Sequence, residues 1–159
     1  MGAELDATDW RILRELQADG RITNVALAAR VGLSPPPCLR RVRALEQAGF
    51  IRGYHAELDA RLAGYEITAF ASVRLHAQGE SDLRDFERQV LMWPLVREVY
   101  MLSGDMDYQL TCVAADLSAL QEQVIGKLAA LPNVASVKTT LVMRRVKHDP
   151  GIPIAIPET

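Results

Sequence analysis

Three arginines, Arg40, Arg41 and Arg43, stand just beyond three prolines in "GLSPPPCLRRVRAL", residues 32–45. A guanidinium carries its donors in a rigid planar fork that matches phosphate oxygens and the major-groove edge of guanine. The chemistry such a run offers is recognition of a polyanion. A second stretch, "SGDMDY" at residues 103–108, sets the carboxylates of Asp105 and Asp107 near the Gly104 amide, a combination suited to the ammonium and polar groups of a small zwitterion. A bland alternative stands beside each reading: a solvated basic helix face for the first, a plain hairpin turn for the second.

For the arginines to act together, one rigid element must carry them. Proline breaks a helix interior but fits its first turn, where the N–H groups have no carbonyl partner to lose. Ser34 is then the N-cap and Pro35, Pro36 and Pro37 fill the first three helical positions, with some strain because each residue before a proline is biased away from the α region. Beyond them Cys38, Val42 and Leu45 share one face, Arg40 and Arg43 point roughly opposite, and Arg41 lies on the flank. A helix start without amides is a poor backbone clamp for phosphate, so contact must come from side chains. A short polyproline linker is the competing reading of the triplet.

Two helices precede this one. "LDATDWRILRELQADG" is capped by Asp6, carries Ile12, Leu13 and Leu16 as its apolar stripe and stops at Gly20; "TNVALAARVG" is capped by Thr23, with Val25, Ala28 and Val31 on one face and Gly32 at its left-handed end. After Gly49, "FIRGYHAELD" reads as two short β-prone pieces around Gly53, a hairpin or wing bearing Arg52 and Tyr54. Three helices and a wing make a winged helix-turn-helix, whose third helix enters the major groove of double-stranded DNA. Charge agrees: residues 21–55 hold six arginines against Glu46 alone, while the 159-residue chain as a whole carries −2.

Past a junction at 58–66 the pattern becomes mixed. "ITAFASVRLHA" is a strand, "SDLRDFERQVLMW" a helix capped by Ser81, "LVREVYMLSG" and "DYQLTCVAA" strands, "LSALQEQVIGKLAAL" a helix and "VASVKTTLVMRRV" a strand. Pro94, Val96 and Val99 repeat at the offsets of Pro132, Val134 and Val137, so two β-α-β halves echo one another. The expected class is α+β: a winged helix-turn-helix at 1–57, a linker at 58–66, a ferredoxin-like βαββαβ domain at 67–148 and a tail at 149–159. Valine-rich strands make self-association through the sheet a reasonable expectation.

Other chemistries find little support. Cys38 and Cys112 lie far apart with no histidines beside them, which argues for buried thiols and against a metal site or a disulfide framework. No phosphate loop or nucleophile–base pair stands out, and no cofactor is expected. Nothing reads as a membrane span or a secretory leader, so the cytoplasm is the expected compartment.

Taken together, "LDATDWRILRELQADGRITNVALAARVGLS", "CLRRVRALEQAGFIRGY", "SGDMDY" and "LPNVASVKTTLVMRRVK" resemble the Lrp/AsnC (leucine-responsive and asparagine regulatory, feast/famine) transcription regulators over about residues 5–148, the leucine-responsive ones most. The resemblance implies DNA binding through Ser34 to Arg43, with Ser34, Pro36, Arg40, Arg41 and Arg43 on the recognition helix and Arg52 and Tyr54 on the wing. It implies an amino-acid effector, leucine or another, held between subunits, with Gly104, Asp105, Asp107 and Tyr108 in the effector loop and Leu117, Thr139, Thr140, Leu141 and Val142 near effector-sensitive positions. It further implies a homodimer that assembles into a higher oligomer, commonly an octamer. Pro36 departs from the small polar residue such relatives often carry, which removes a hydroxyl contact to DNA. An alternative on the same architecture is an enzyme of the tetrapyrrole-decarboxylase kind, for which the C-terminal part offers only His76 and His148.

Overall fold

Asp6 opens the first helix in a computed structural model that describes residues 5–157. Its carboxylate accepts the Asp9 N–H at 2.8 Å, while the Asp9 carboxylate accepts the Asp6 N–H at 3.3 Å; this reciprocal cap starts α1 (Ala7–Ala18). Thr23 caps α2 (Asn24–Val31), which ends on Gly32 at φ 75°, a conformation that costs glycine least. The third helix, α3, spans Pro35–Gln47. Ile12, Leu27, Ala28, Val31, Cys38, Val42 and Leu45 form the core of these three helices. Val25 does not join them and is 67% exposed. Leu27 takes its place because, four residues before Val31, it falls only about 40° from it around the helix.

The hairpin expected after Gly49 does not form. Residues 51–59 run without a strand partner, and Gly53 is not in the left-handed region, so the chain does not reverse there. The wing is instead a single irregular segment.

The second half supplies β1 (Ile67–Leu75), α4 (Glu80–Val90), β2 (Val96–Met101), β3 (Tyr108–Ala114), a helical stretch made of α5 (Leu117–Leu120), a π-helical turn (Gln121–Ile125) and α6 (Gly126–Ala130), and β4 (Val134–Leu141). The β-α-β-β-α-β order stands, in an antiparallel sheet ordered β2-β3-β1-β4. Ala69, Ala71, Val73 and Leu75 alternate inward from β1, Tyr108, Leu110, Cys112 and Ala114 from β3, and they pack on Phe86, Val90, Leu120, Val124 and Leu128 of the helices. Ser81 is not the cap of α4. Gly79 holds that position and Ser81 sits inside the first turn. Both cysteines are buried and unpaired, and burial pushes the Cys112 thiol up to about 11.

The chain divides into two units: Met1–Glu57 with Lys147–Thr159, and Leu58–Val146. Residues 147–157 thus group with the three helices; residues 1–4 and 158–159 of the expected boundaries lie outside the described residues. Among the described residues, no helix is long and apolar enough to cross a membrane.

Candidate nucleic-acid interface and ligand loop

The helix α3 begins without a break at the proline triplet. Ser34 is extended (φ −80°, ψ 156°), as a residue before proline prefers, and the first helical N–H is that of Cys38, which donates to the Ser34 carbonyl at 3.3 Å. No free amide is left at this end. With prolines at the second and third positions, the Ser34 hydroxyl has no N–H to accept and makes no capping bond. Ser34 and Pro36 are exposed at the tip of the helix. Asn24 donates from Nδ2 to the Pro35 carbonyl at 2.8 Å and fastens the start of α2 to that of α3. Nothing in the sequence around Asn24 marks this role, because the bond spans two helix starts.

Arg40 and Arg43 are exposed and have no carboxylate partner among the described residues; the same holds for Arg52. Arg41 differs. Its Nη1 donates to Asp6 Oδ2 and to Asp9 Oδ1, each at 2.8 Å, so it turns toward α1 and away from the cationic face. The Asp9 and Asp6 hydrogen bonds raise the Arg41 pKa, and Asp6 is lowered, first by the Asp9 N–H and then by Arg41. The expectation of Arg41 as a DNA contact meets a competing partner: the capping box of α1 uses this guanidinium to tie α1 to α3. Tyr54 donates its hydroxyl to Glu46 Oε1 at 3.0 Å, and burial together with that carboxylate pushes its pKa up to about 12.

In the second unit, the 103–108 loop links β2 to β3, with Gly104 at φ 143°. Asp107 is fully engaged within the chain. Its N–H donates to Val73 O, its carbonyl accepts the Leu102 N–H, and its carboxylate accepts the Leu75 N–H at 2.7 Å and Gln78 Nε2 at 2.8 Å. Arg74 donates from Nε to the Asp105 carbonyl at 2.8 Å, leaving the exposed Asp105 carboxylate without a partner among the described residues. Tyr108 points into the core: it is 1% exposed, its ring lies 4.7 Å from that of Phe86, and its hydroxyl donates to Glu87 Oε1 at 2.7 Å. Burial first, and Glu87 second, raise its pKa well above the ordinary tyrosine value. Its proposed contact with a ligand therefore lacks a surface within this chain. Gln78, Arg74 and Glu87, which brace the loop, were not among the sequence candidates, since they sit 21 to 31 residues from what they hold.

The remaining candidates lie on or just after β4 and at the start of α5. Tyr108 pairs with Val73 on one side of β1, and on the other side Val73, Ala71 and Ala69 pair with Val137, Thr139 and Leu141, so Thr139 stands about 7 Å and Leu141 about 13 Å along the strands from Tyr108, while Leu117 follows the far end of β3. Thr139 and Leu141 face the helix side and Thr140 the opposite side, as alternation requires. His76 and His148 belong to different units, and His148 Nε2 lies 3.1 Å from Glu57 Oε1.

Two family models match this chain: a winged helix-turn-helix DNA-binding model over residues 5–52 and an Lrp/AsnC ligand binding domain over residues 68–152. The chain is 56% identical over 144 residues to the leucine-responsive regulatory protein of Rhizobium meliloti, covering 91% of this chain and 92% of the relative. To the leucine-responsive regulatory protein of Escherichia coli it is 41% identical over 147 residues, covering 92% and 90%. Among solved structures, a Neisseria meningitidis transcriptional regulator in complex with L-methionine matches with a TM-score of 0.89 at 37% identity, covering 94% of this chain and 97% of that one. An AsnC family transcriptional regulator from Agrobacterium tumefaciens matches with a TM-score of 0.87 at 34% identity over the same shares.

Proposed function

The chain belongs to the Lrp/AsnC family of DNA-binding transcription regulators, and on that premise we propose that it reads double-stranded DNA through side chains of α3 and the wing, without backbone amides at the helix start, under the control of an amino acid. The observation that carries the reading is the pairing pattern of α3: Arg40 and Arg43 are exposed and, among the described residues, unpaired, on a helix whose start offers no amide. In a groove, such guanidinium groups bond guanine edges or hold phosphates, and Ser34 adds a hydroxyl that the helix itself does not use. Arg52 and Tyr54 flank them on the wing. Arg41 acts through the fold, by holding α1 and α3 together.

The effector is a zwitterionic amino acid such as leucine or methionine. Its ammonium meets Asp105, whose carboxylate is open, while Asp107 holds the loop in shape. Because Tyr108 is buried and the Asp107 carboxylate is engaged within its own chain, the loop offers a ligand only Asp105 and the Gly104 backbone, and a second copy of the chain would complete the site. This supports a homodimer that assembles further, to an octamer by analogy with the family, in the cytoplasm. A ligand of this kind shifts assembly or DNA affinity only by binding one state better than another.

Thermal-shift screening of the purified protein against the twenty amino acids tests the effector, since a ligand bound only by the folded form raises its apparent stability. A rise with one or a few hydrophobic amino acids is expected, and none with any would overturn it. Band-shift titration of duplex DNA with the Arg40→Ala protein tests the interface, where unchanged affinity on specific and random duplexes alike would remove Arg40 from it.

A further inference from the structure

The wing is the least self-sufficient part of the first unit. From Arg52 to Glu57 no backbone group makes a backbone hydrogen bond among the described residues; the last such anchors are the Phe50 and Ile51 N–H groups on Leu45 O. Yet this segment carries Arg52 and Tyr54. An extended segment without a ladder samples many conformations unless side chains fix it.

Across a groove from it runs the chain's own C-terminal segment. Gln17, on the exposed side of α1, donates from Nε2 to the Ile152 carbonyl at 2.7 Å and accepts the Ile152 N–H on Oε1 at 3.1 Å, pairing with that residue as a neighbouring strand would. Gly151, at φ 90°, passes so near that an added Cβ would collide with the Gln17 side chain. A groove of about 510 Å³ runs between α1 and the wing, where Trp10, Leu13 and Leu16 face Ile51 and Tyr54, and Ile152 and Ile154 of the C-terminal segment form its remaining wall. Pro150, Pro153 and Pro157 space the isoleucines and keep the segment extended at low entropic cost.

We propose that residues 150–156 are a strap that closes the groove between α1 and the wing and thereby sets where Arg52 stands for DNA. Gln17 and Gly151 are positioning residues in this arrangement, and the wing is ordered by a segment nearly a hundred residues away rather than by a hairpin of its own. The consequence for DNA rests on the reading of Arg52 as a duplex contact; the ordering of the wing does not.

The test uses the full chain carrying Trp93→Phe, which leaves Trp10 as the one tryptophan, and compares it with Gln17→Ala, Gly151→Val and a version ending at Asp149. Trypsin cleavage after Arg52, followed by mass spectrometry against cleavage after Arg61 as internal control, reads wing order, and Trp10 emission reads groove closure. Loss of two hydrogen bonds and their apolar cover is expected to speed cleavage after Arg52 by about tenfold and to red-shift Trp10. Affinity for a fluorescent random-sequence duplex is expected to fall in the same variants, with no further loss when Arg52→Ala is added. Unchanged cleavage and emission in both Gln17→Ala and the shortened chain would overturn the strap, as would additive losses with Arg52→Ala. A parent protein without duplex affinity would instead overturn the DNA reading, with the cleavage and emission data still deciding the strap.

Discussion

Two regions of this molecule were marked by charged side chains, and the structure treats them oppositely. On α3, Arg40 and Arg43 are left without partners among the described residues while the helix around them is complete. In the 103–108 loop, Asp107 has spent both carboxylate oxygens, its N–H and its carbonyl on its own chain, and Tyr108 is sealed under Phe86 and Glu87. Charges with nothing to hold are available to a partner, whereas charges already satisfied shape the place where a partner sits. The contrast leaves Arg40, Arg43 and Asp105 open among the described residues, and it engages Arg41, Asp107 and Tyr108 in the chain's own bonds.

The sharpest way to break this contrast is to remove a support. Tyr108→Ala empties a core site and leaves Glu87 without its donor, so urea denaturation should show a loss of about 3–5 kcal/mol, against about 1 kcal/mol for Tyr108→Phe. Losses under about 1 kcal/mol for the alanine variant would mean that Tyr108 is not a core residue. Asp107→Ala comes next. With two hydrogen bonds to a charged acceptor gone, it should cost about 2–3 kcal/mol and abolish the thermal response to amino acids, while Asp105→Ala, an exposed change, should stay within about 0.5 kcal/mol and lose the response alone. Equal stability of the two variants would erase the distinction between brace and contact.

Smaller effects sharpen the same division in the first unit. Arg41 is about one-third exposed, so its double bond to Asp6 and Asp9 is discounted for solvent, and Arg41→Ala should destabilise by about 1 kcal/mol in denaturant titration. The smallest effect is in pH. Asp6 is depressed in the folded state, so its contribution is present above the unfolded carboxylate value and is lost as pH falls through the lower folded value. Melting curves of the parent and Asp6→Asn proteins should therefore differ near neutrality and converge below about pH 4. A constant gap down to the acid limit would contradict the pairing.

Much of this was legible in advance because the deciding forces are local. Asp6, Thr23 and the Ser34-proline junction place helix starts through contacts three or four residues long, and strict alternation in "ITAFASVRL" and "YQLTCVA" places the buried strand faces. What stayed hidden depends on groups far apart in the chain. Arg41 finds Asp6 across 35 residues, and Gln17 finds Ile152 across 135, with no periodicity to announce either. The wing misled for a related reason, since Gly53 between two β-prone triplets resembles a turn, but the segment's support comes from elsewhere. Leu117 and Thr139 to Val142 were placed near the effector by resemblance alone, since nothing in their own spacing ties them to the loop.

The central claim is that DNA is held by the unpaired guanidinium groups of α3, and the salt dependence of duplex binding tests it most directly. Fluorescence anisotropy at several salt concentrations should show that Arg40→Ala and Arg43→Ala each weaken binding by roughly 1–3 kcal/mol, with the slope of log affinity against log salt falling by about one wherever the lost contact was to phosphate. Arg41→Ala should keep the parent slope. Parent affinity and slope in both the Arg40 and Arg43 variants would contradict the account.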